Sequence, residues 1–154
     1  MEIERKFLLK QIPDGLDLDS GTLIEQGYLL TDPAELRLRR RGQQFTMAVK
    51  TSGTEVREEW ESEIPEWVVQ ALWPHTEGQR VSKTRYVFDR GGHSLELDVY
   101  HGDLDGLVIL ECEFDSREAA HSFALPPEFA DAADVTADAR YKNKSLAAQG
   151  MPSG

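Results

Sequence analysis

The stretch ELRLRRR, residues 35–41, sets Glu35, Arg37, Arg39 and Arg41 on one face of an extended strand and Leu36 and Leu38 on the other. Successive side chains of a strand point to opposite faces, so charge and apolarity separate by parity. The same separation recurs outward from this strand. TMAVK places Lys50 with Thr46 and Ala48, and REEWESEI places Arg57, Glu59, Glu61 and Glu63 against Trp60 and Ile64. SKTRYVF pairs Lys83 with Arg85, LELDVY pairs Glu96 with Asp98, and VILECEF pairs Glu111 with Glu113. The first strand, EIERKFLL, aligns Glu2, Glu4 and Lys6 opposite Ile3, Arg5, Phe7 and Leu9.

Period-2 runs with intervening Gly, Pro, Asp and Ser predict strands at 2–9, 23–30, 34–41, 45–51, 56–64, 80–89, 94–101 and 107–114. Turn signals lie at TDPAE 31–35, RGQQ 41–44, SGTE 52–55 and RGGH 90–93. The short connections predict a mostly antiparallel sheet. Short helices are expected after Pro65, over 115–123 and over 134–150. One domain over 1–150 with a frayed 151–154 tail accounts for the 154 residues.

The bulk composition narrows function. A net charge of −11 argues against general nucleic-acid binding, although a local basic cluster can still receive a small anion. The single Cys112 excludes an internal disulfide and a Cys-rich zinc site. No apolar run approaches the roughly 20 residues that span a bilayer, and the charged start is unlike a signal peptide. A cytoplasmic protein without membrane or nucleic-acid partners is the expectation.

A charged face on an antiparallel sheet is ordinarily the wet one, with cross-strand ion pairs worth about 0.2–1 kcal/mol each. Arg–x–Arg, Lys–x–Arg and repeated Glu–x–Glu in register strain that reading. Arg suits bidentate phosphate contacts and carboxylates suit hard divalent cations. Roughly eight strands is the size at which a barrel encloses one small ligand. The alternative is therefore an inverted barrel, α+β in class but mainly antiparallel β, with a hydrated charged lumen and a few short helices packed outside.

Glu2–Ile3–Glu4–Arg5–Lys6 resembles the ExExK signature of the CYTH superfamily, the triphosphate tunnel metalloenzymes. The resemblance extends in order through EQGYL, ELRLRRRG, TMAVK, EEWESEI, WPHTEGQRVSKTRY, LELDVY, VILECEF and RYKNKSLA. The compact form is similar to the short bacterial inorganic triphosphatases. It implies an eight-stranded closed tunnel barrel that hydrolyses triphosphate with Mg²⁺ or Mn²⁺. It implies metal ligation by Glu2, Glu4, Glu111 and Glu113, and a phosphate clamp of Lys6, Arg37, Arg39, Lys50, Lys83 and Arg85, joined by Arg57 and Lys142. Glu59, Glu61 and Asp98 would add acidic groups that place a second metal or balance the clamp.

For the proton of the attacking water two acceptors stay open: a carboxylate such as Glu2 or Glu4, or Tyr28, were Lys6 beside it to lower its pKa. The four histidines lack metal-ligand spacing, Trp60, Trp67 and Trp73 fit outward packing, and Arg5, Arg40 and Glu58 have the wrong parity for a lumen. Cys112 points away from its acidic neighbours. Thiamine triphosphatase, class IV adenylyl cyclase and a non-catalytic polyphosphate- or nucleotide-binding module are the competing functions. An apolar barrel exterior leaves room for a homodimer.

Overall fold

A computed structural model describes residues 2–52 and 56–153. Eight strands of five residues or more carry the fold: β1 Glu2–Leu9, β2 Thr22–Leu30, β3 Glu35–Arg41, β4 Gln44–Lys50, β6 Glu59–Glu63, β7 Arg80–Arg90, β8 His93–Tyr100 and β9 Val108–Glu113. Two-residue strands β5 (Val56–Arg57) and β10 (Ala133–Asp134) add to them, and the helices are α1 Glu66–Leu72, α2 Arg117–Ser122 and α3 Asn143–Gln149. The expected strand over 56–64 is broken at Glu58 into β5 and β6. Most of the turn expected at 52–55 lies outside the described residues.

Every pairing is antiparallel, in the order β10-β1-β9-β8-β7-β2-β3-β4-β6, and β5 pairs with β1. The ladder itself is not continuous around the barrel. The segment 56–63 bridges the gap, pairing with β1 through Glu2↔Arg57 and with β4 through Lys50↔Glu59. Closure thus rests on one chain segment that changes partner at Glu58.

The outward faces of β1, β7, β8 and β9 form an apolar core of Phe7, Phe88, Leu95, Leu97, Leu110 and Cys112, covered by Ala120 of α2 and by Phe129. Arg5 has this outward parity as expected, but it is no free surface group. It donates to the Ala120 and Phe123 carbonyls at 3.0 and 2.9 Å and pairs with Asp134, tying α2 to β1. On β2 the turn Trp73–Thr76 lies so close that a Cβ at Gly27 would stand 2.6 Å from the Thr76 hydroxyl oxygen. Glycine is what that approach permits.

Parity also sorts the inside. Leu8, Tyr28, Val81, Tyr100 and Ile109 occupy the same strand faces as the charged positions, yet they cluster with Leu146 of α3. One part of the lumen is therefore dry and packed by the C-terminal helix. The charged part lies beyond it.

Candidate functional site

The charged part encloses a cavity of about 200 Å³. Glu2, Glu4 and Lys6 reach it from β1, Arg37 and Arg39 from β3, Lys50 from β4 and Arg57 from β5. Glu59 and Glu61 of β6, Arg85 of β7 and Glu111 and Glu113 of β9 complete much of the wall, with Tyr28 and Lys142. Sequence reasoning passed over Glu35, Arg41, Glu96 and Asn143, which line it too. Parity had already aligned the first three with chosen residues; nothing in the sequence marks Asn143.

Two expected wall residues do not reach the cavity. Lys83 and Asp98 are fully buried and joined at 2.7 Å, and Asp98 also receives Arg85 Nε and Nη2 at 2.7 and 2.8 Å. Parity fixed their face but not their depth: the packed lumen end covers them. Burial lowers Lys83 to about 8 even beside Asp98, and the Arg85 charge adds to the effect. Asp98, facing two cations, is held below the usual carboxylate range against its own burial. This triad supports the wall by fixing Arg85.

Carboxylate oxygens of Glu2, Glu4 and Glu113 lie within 4.8 Å of one another. Partial desolvation and the charges of Glu2, Glu96, Glu4 and Glu111 push the exposed Glu113 up to about 7. Burial raises Glu4 as well, with Glu111 adding to it, and burial raises Glu2. Glu111 behaves oppositely. Despite burial, Lys6, Arg85 and Lys83 hold it well below the carboxylate range, and its carboxylate faces Lys6 at 3.4 Å and Arg85 at 3.6 Å. Of the four expected metal ligands, three converge and Glu111 serves the basic side. The convergent donors are all oxygen and mutually repelling, which fits a hard divalent cation.

The basic side has the complementary excess. Desolvation and the neighbouring Arg37 and Arg85 push Arg39 down to about 10. Arg37 donates to Glu61 at 2.9 Å, while its buried Nε has no partner. Lys142 is lowered by burial and by Arg57 and Lys144. Crowded cations of this kind are relieved by an anion. Arg57 and Lys50 instead sit on the acidic wall: Arg57 reaches Glu2, Glu4 and Glu35 at 3.1, 3.0 and 3.3 Å, and Lys50 reaches Glu2 at 3.2 Å and Glu59 at 3.1 Å.

Among the described residues Lys6 and Tyr28 each take partners other than one another. Lys6 Nζ donates to the Tyr141 carbonyl at 3.1 Å and faces Glu111, whereas the Tyr28 hydroxyl accepts from Gln26 at 2.9 Å. Burial raises the Tyr28 pKa far beyond the reach of Arg37 and Arg39 to lower it. Three strands, β9, β8 and β7, stand between β1 and β2 on one side.

No protein-family model matches the chain. A Nitrosomonas europaea protein named inorganic triphosphatase is 48% identical over 149 residues, covering 95% of this chain and 96% of its own. The chain belongs to the inorganic triphosphatase family. A second member, from Acetivibrio thermocellus, is 33% identical over 94% of this chain and 92% of its own. The crystal structure of an inorganic triphosphatase superposes with a TM-score of 0.71 at 44% identity, over 99% of this chain and 97% of that one. A Hippeastrum protein described as an adenylyl cyclase with dominant triphosphatase activity superposes at 0.60 over 79% of this chain and 83% of its own. At 18% identity that likeness shows the fold alone.

Proposed function

We propose that this chain hydrolyses inorganic triphosphate to pyrophosphate and phosphate in the charged cavity, with Mg²⁺ or Mn²⁺. The observation that carries the reading is the meeting of an acidic and a basic cluster around one small cavity. Glu2, Glu4 and Glu113 repel one another and call for a cation; Arg39, crowded by Arg37 and Arg85, calls for an anion. The relatives named inorganic triphosphatase support the substrate.

Phosphoryl transfer asks the protein for positioning and charge stabilisation more than for a covalent partner. Arg37, with its free Nε, and Arg39, anchored through Nε on Gln26 at 3.0 Å, would grip the phosphoryl oxygens. Arg85, braced by Asp98, would hold the bridging region from the opposite wall. A divalent cation held by Glu2, Glu4 and Glu113 would neutralise charge on the phosphate oxygens. Water adds to the terminal phosphorus, the P–O bond to the pyrophosphate group breaks, and the water's proton passes to a carboxylate of the acidic wall. Burial disfavours the Tyr28 phenolate, which favours the acidic wall as the acceptor.

The test is phosphate release from triphosphate with Mg²⁺ or Mn²⁺ by wild type, Glu4→Ala and Glu113→Ala, alongside ATP and thiamine triphosphate. Turnover of triphosphate above the other two substrates, lost by at least about 100-fold in either variant, is expected. Tight binding without phosphate release by the wild type would make the chain a binding module instead.

A further inference from the structure

The dry end of the lumen meets the wet cavity at the segment that leads into α3. This segment is pinned from three sides. Lys6 Nζ donates to the Tyr141 carbonyl at 3.1 Å, Lys144 Nζ donates to the Thr31 carbonyl at 3.2 Å, and Leu146 is 2% exposed among Tyr28, Tyr100 and Ile109. The fully buried Tyr100 hydroxyl donates to Asn143 Oδ1 at 2.5 Å. Asn143 lines the cavity and Tyr100 does not.

We propose that the Tyr100–Asn143 pair is a chain-length stop that restricts the cavity to triphosphate and excludes longer linear polyphosphates. The inference rests on the triphosphatase reading above and adds what sets the substrate's upper size. The cavity of about 200 Å³ is bounded on this side by Asn143. Past Asn143 lie the packed Tyr28, Val81, Tyr100, Ile109 and Leu146, with Lys83 already committed to Asp98 at 2.7 Å, so a phosphoryl group pushed there would lose its hydration for little in return. Engaging the carboxamide through its oxygen leaves the NH₂ group, a pair of donors, as the polar end available to a terminal phosphoryl oxygen. Tyr100 acts as a positioning residue through Asn143. A tyrosine whose hydroxyl merely satisfied itself in the core would affect every substrate alike; a stop acts on length.

The experiment compares kcat/KM for linear triphosphate and tetraphosphate, with Mg²⁺, in wild type, Tyr100→Phe, Asn143→Ala and the double variant. Dissociation constants for both anions are measured by calorimetry without metal. Wild type should prefer triphosphate by at least about tenfold. Each single variant should raise the tetraphosphate-to-triphosphate ratio by about tenfold, and the double variant by no more than the larger single effect, because the two residues act as one unit. An unchanged ratio in the variants, an equal loss on both substrates, or a wild type indifferent to length would overturn the stop. Should Tyr100→Phe not fold, Asn143→Ala carries the same comparison, since Asn143 is only half-buried at the start of its helix. A wild type that cleaves neither anion would sink the triphosphatase reading alone, and the binding ratio would still decide the stop.

Discussion

Glu113 is the residue at which the site's purpose conflicts with the fold's stability. Its value of about 7 lies above the ordinary 4.5, because partial desolvation and four neighbouring carboxylates disfavour its charge. A raised carboxyl binds more protons folded than unfolded, so its contribution is complete below about pH 4.5 and is lost as pH rises through about 7. Divalent binding runs the other way, since it needs the carboxylate. Metal-free protein should therefore lose stability through this window while its affinity for Mn²⁺ climbs, which denaturant unfolding and metal titration at pH 5, 6, 7 and 8 would follow. Glu113→Gln should weaken the pH dependence, leaving the part due to Glu2 and Glu4, and keep the metal-free fold at least as stable. Tyr28 gives a second prediction at this scale. With its phenolate disfavoured by burial and its hydroxyl bonded to Gln26, Tyr28→Phe should keep kcat within about tenfold of wild type. A loss of several hundredfold in single-turnover rates would restore the tyrosine as base.

Among the strands, β7 and β8 bear the structural load beneath the cavity. Lys83, Arg85 and Asp98 meet across this pair, and Lys83 and Asp98 are sealed completely. Breaking a buried pair strands a charge, at about 3–5 kcal/mol. Asp98→Ala should cost that much in urea unfolding, far more than Glu113→Ala, although both remove an inward carboxylate. Equal costs would show that the triad is hydrated. What could be read from the sequence divides along the same line. Alternation in ELRLRRR or VILECEF assigns each side chain a face, because the strand period is fixed. It says nothing about how far along the lumen a residue lies, and so it could not separate Lys83 from Arg85. Nor does it say which strands are neighbours: Lys6 meets Glu111 because β1 pairs with β9, a match between residues more than a hundred positions apart. Asn143 was invisible for the same reason, since only tertiary packing of α3 brings it to the cavity.

The whole molecule carries a net charge of −11 yet keeps a cluster of guanidinium groups inside. Arg57 and Lys50 are the hinge of that arrangement, because they now neutralise carboxylates that a metal would occupy. Metal and triphosphate should consequently bind with positive coupling: a cation on the acidic wall releases Arg57 and Lys50 toward the anion. Coupling is reciprocal, so Mn²⁺ should tighten triphosphate binding by the factor by which triphosphate tightens Mn²⁺. At least tenfold is expected, about 1.4 kcal/mol, and chelation should return both affinities to their separate values.

Crystals grown with Mn²⁺ and a non-hydrolysable triphosphate analogue examine the central claim most directly, through the manganese anomalous signal. The account predicts manganese between Glu2, Glu4 and Glu113, and phosphoryl oxygens against Arg37 Nε and Arg39 inside the barrel. Manganese and analogue on the outer surface, with Arg57 and Lys50 still paired to Glu2 and Glu4, would contradict it.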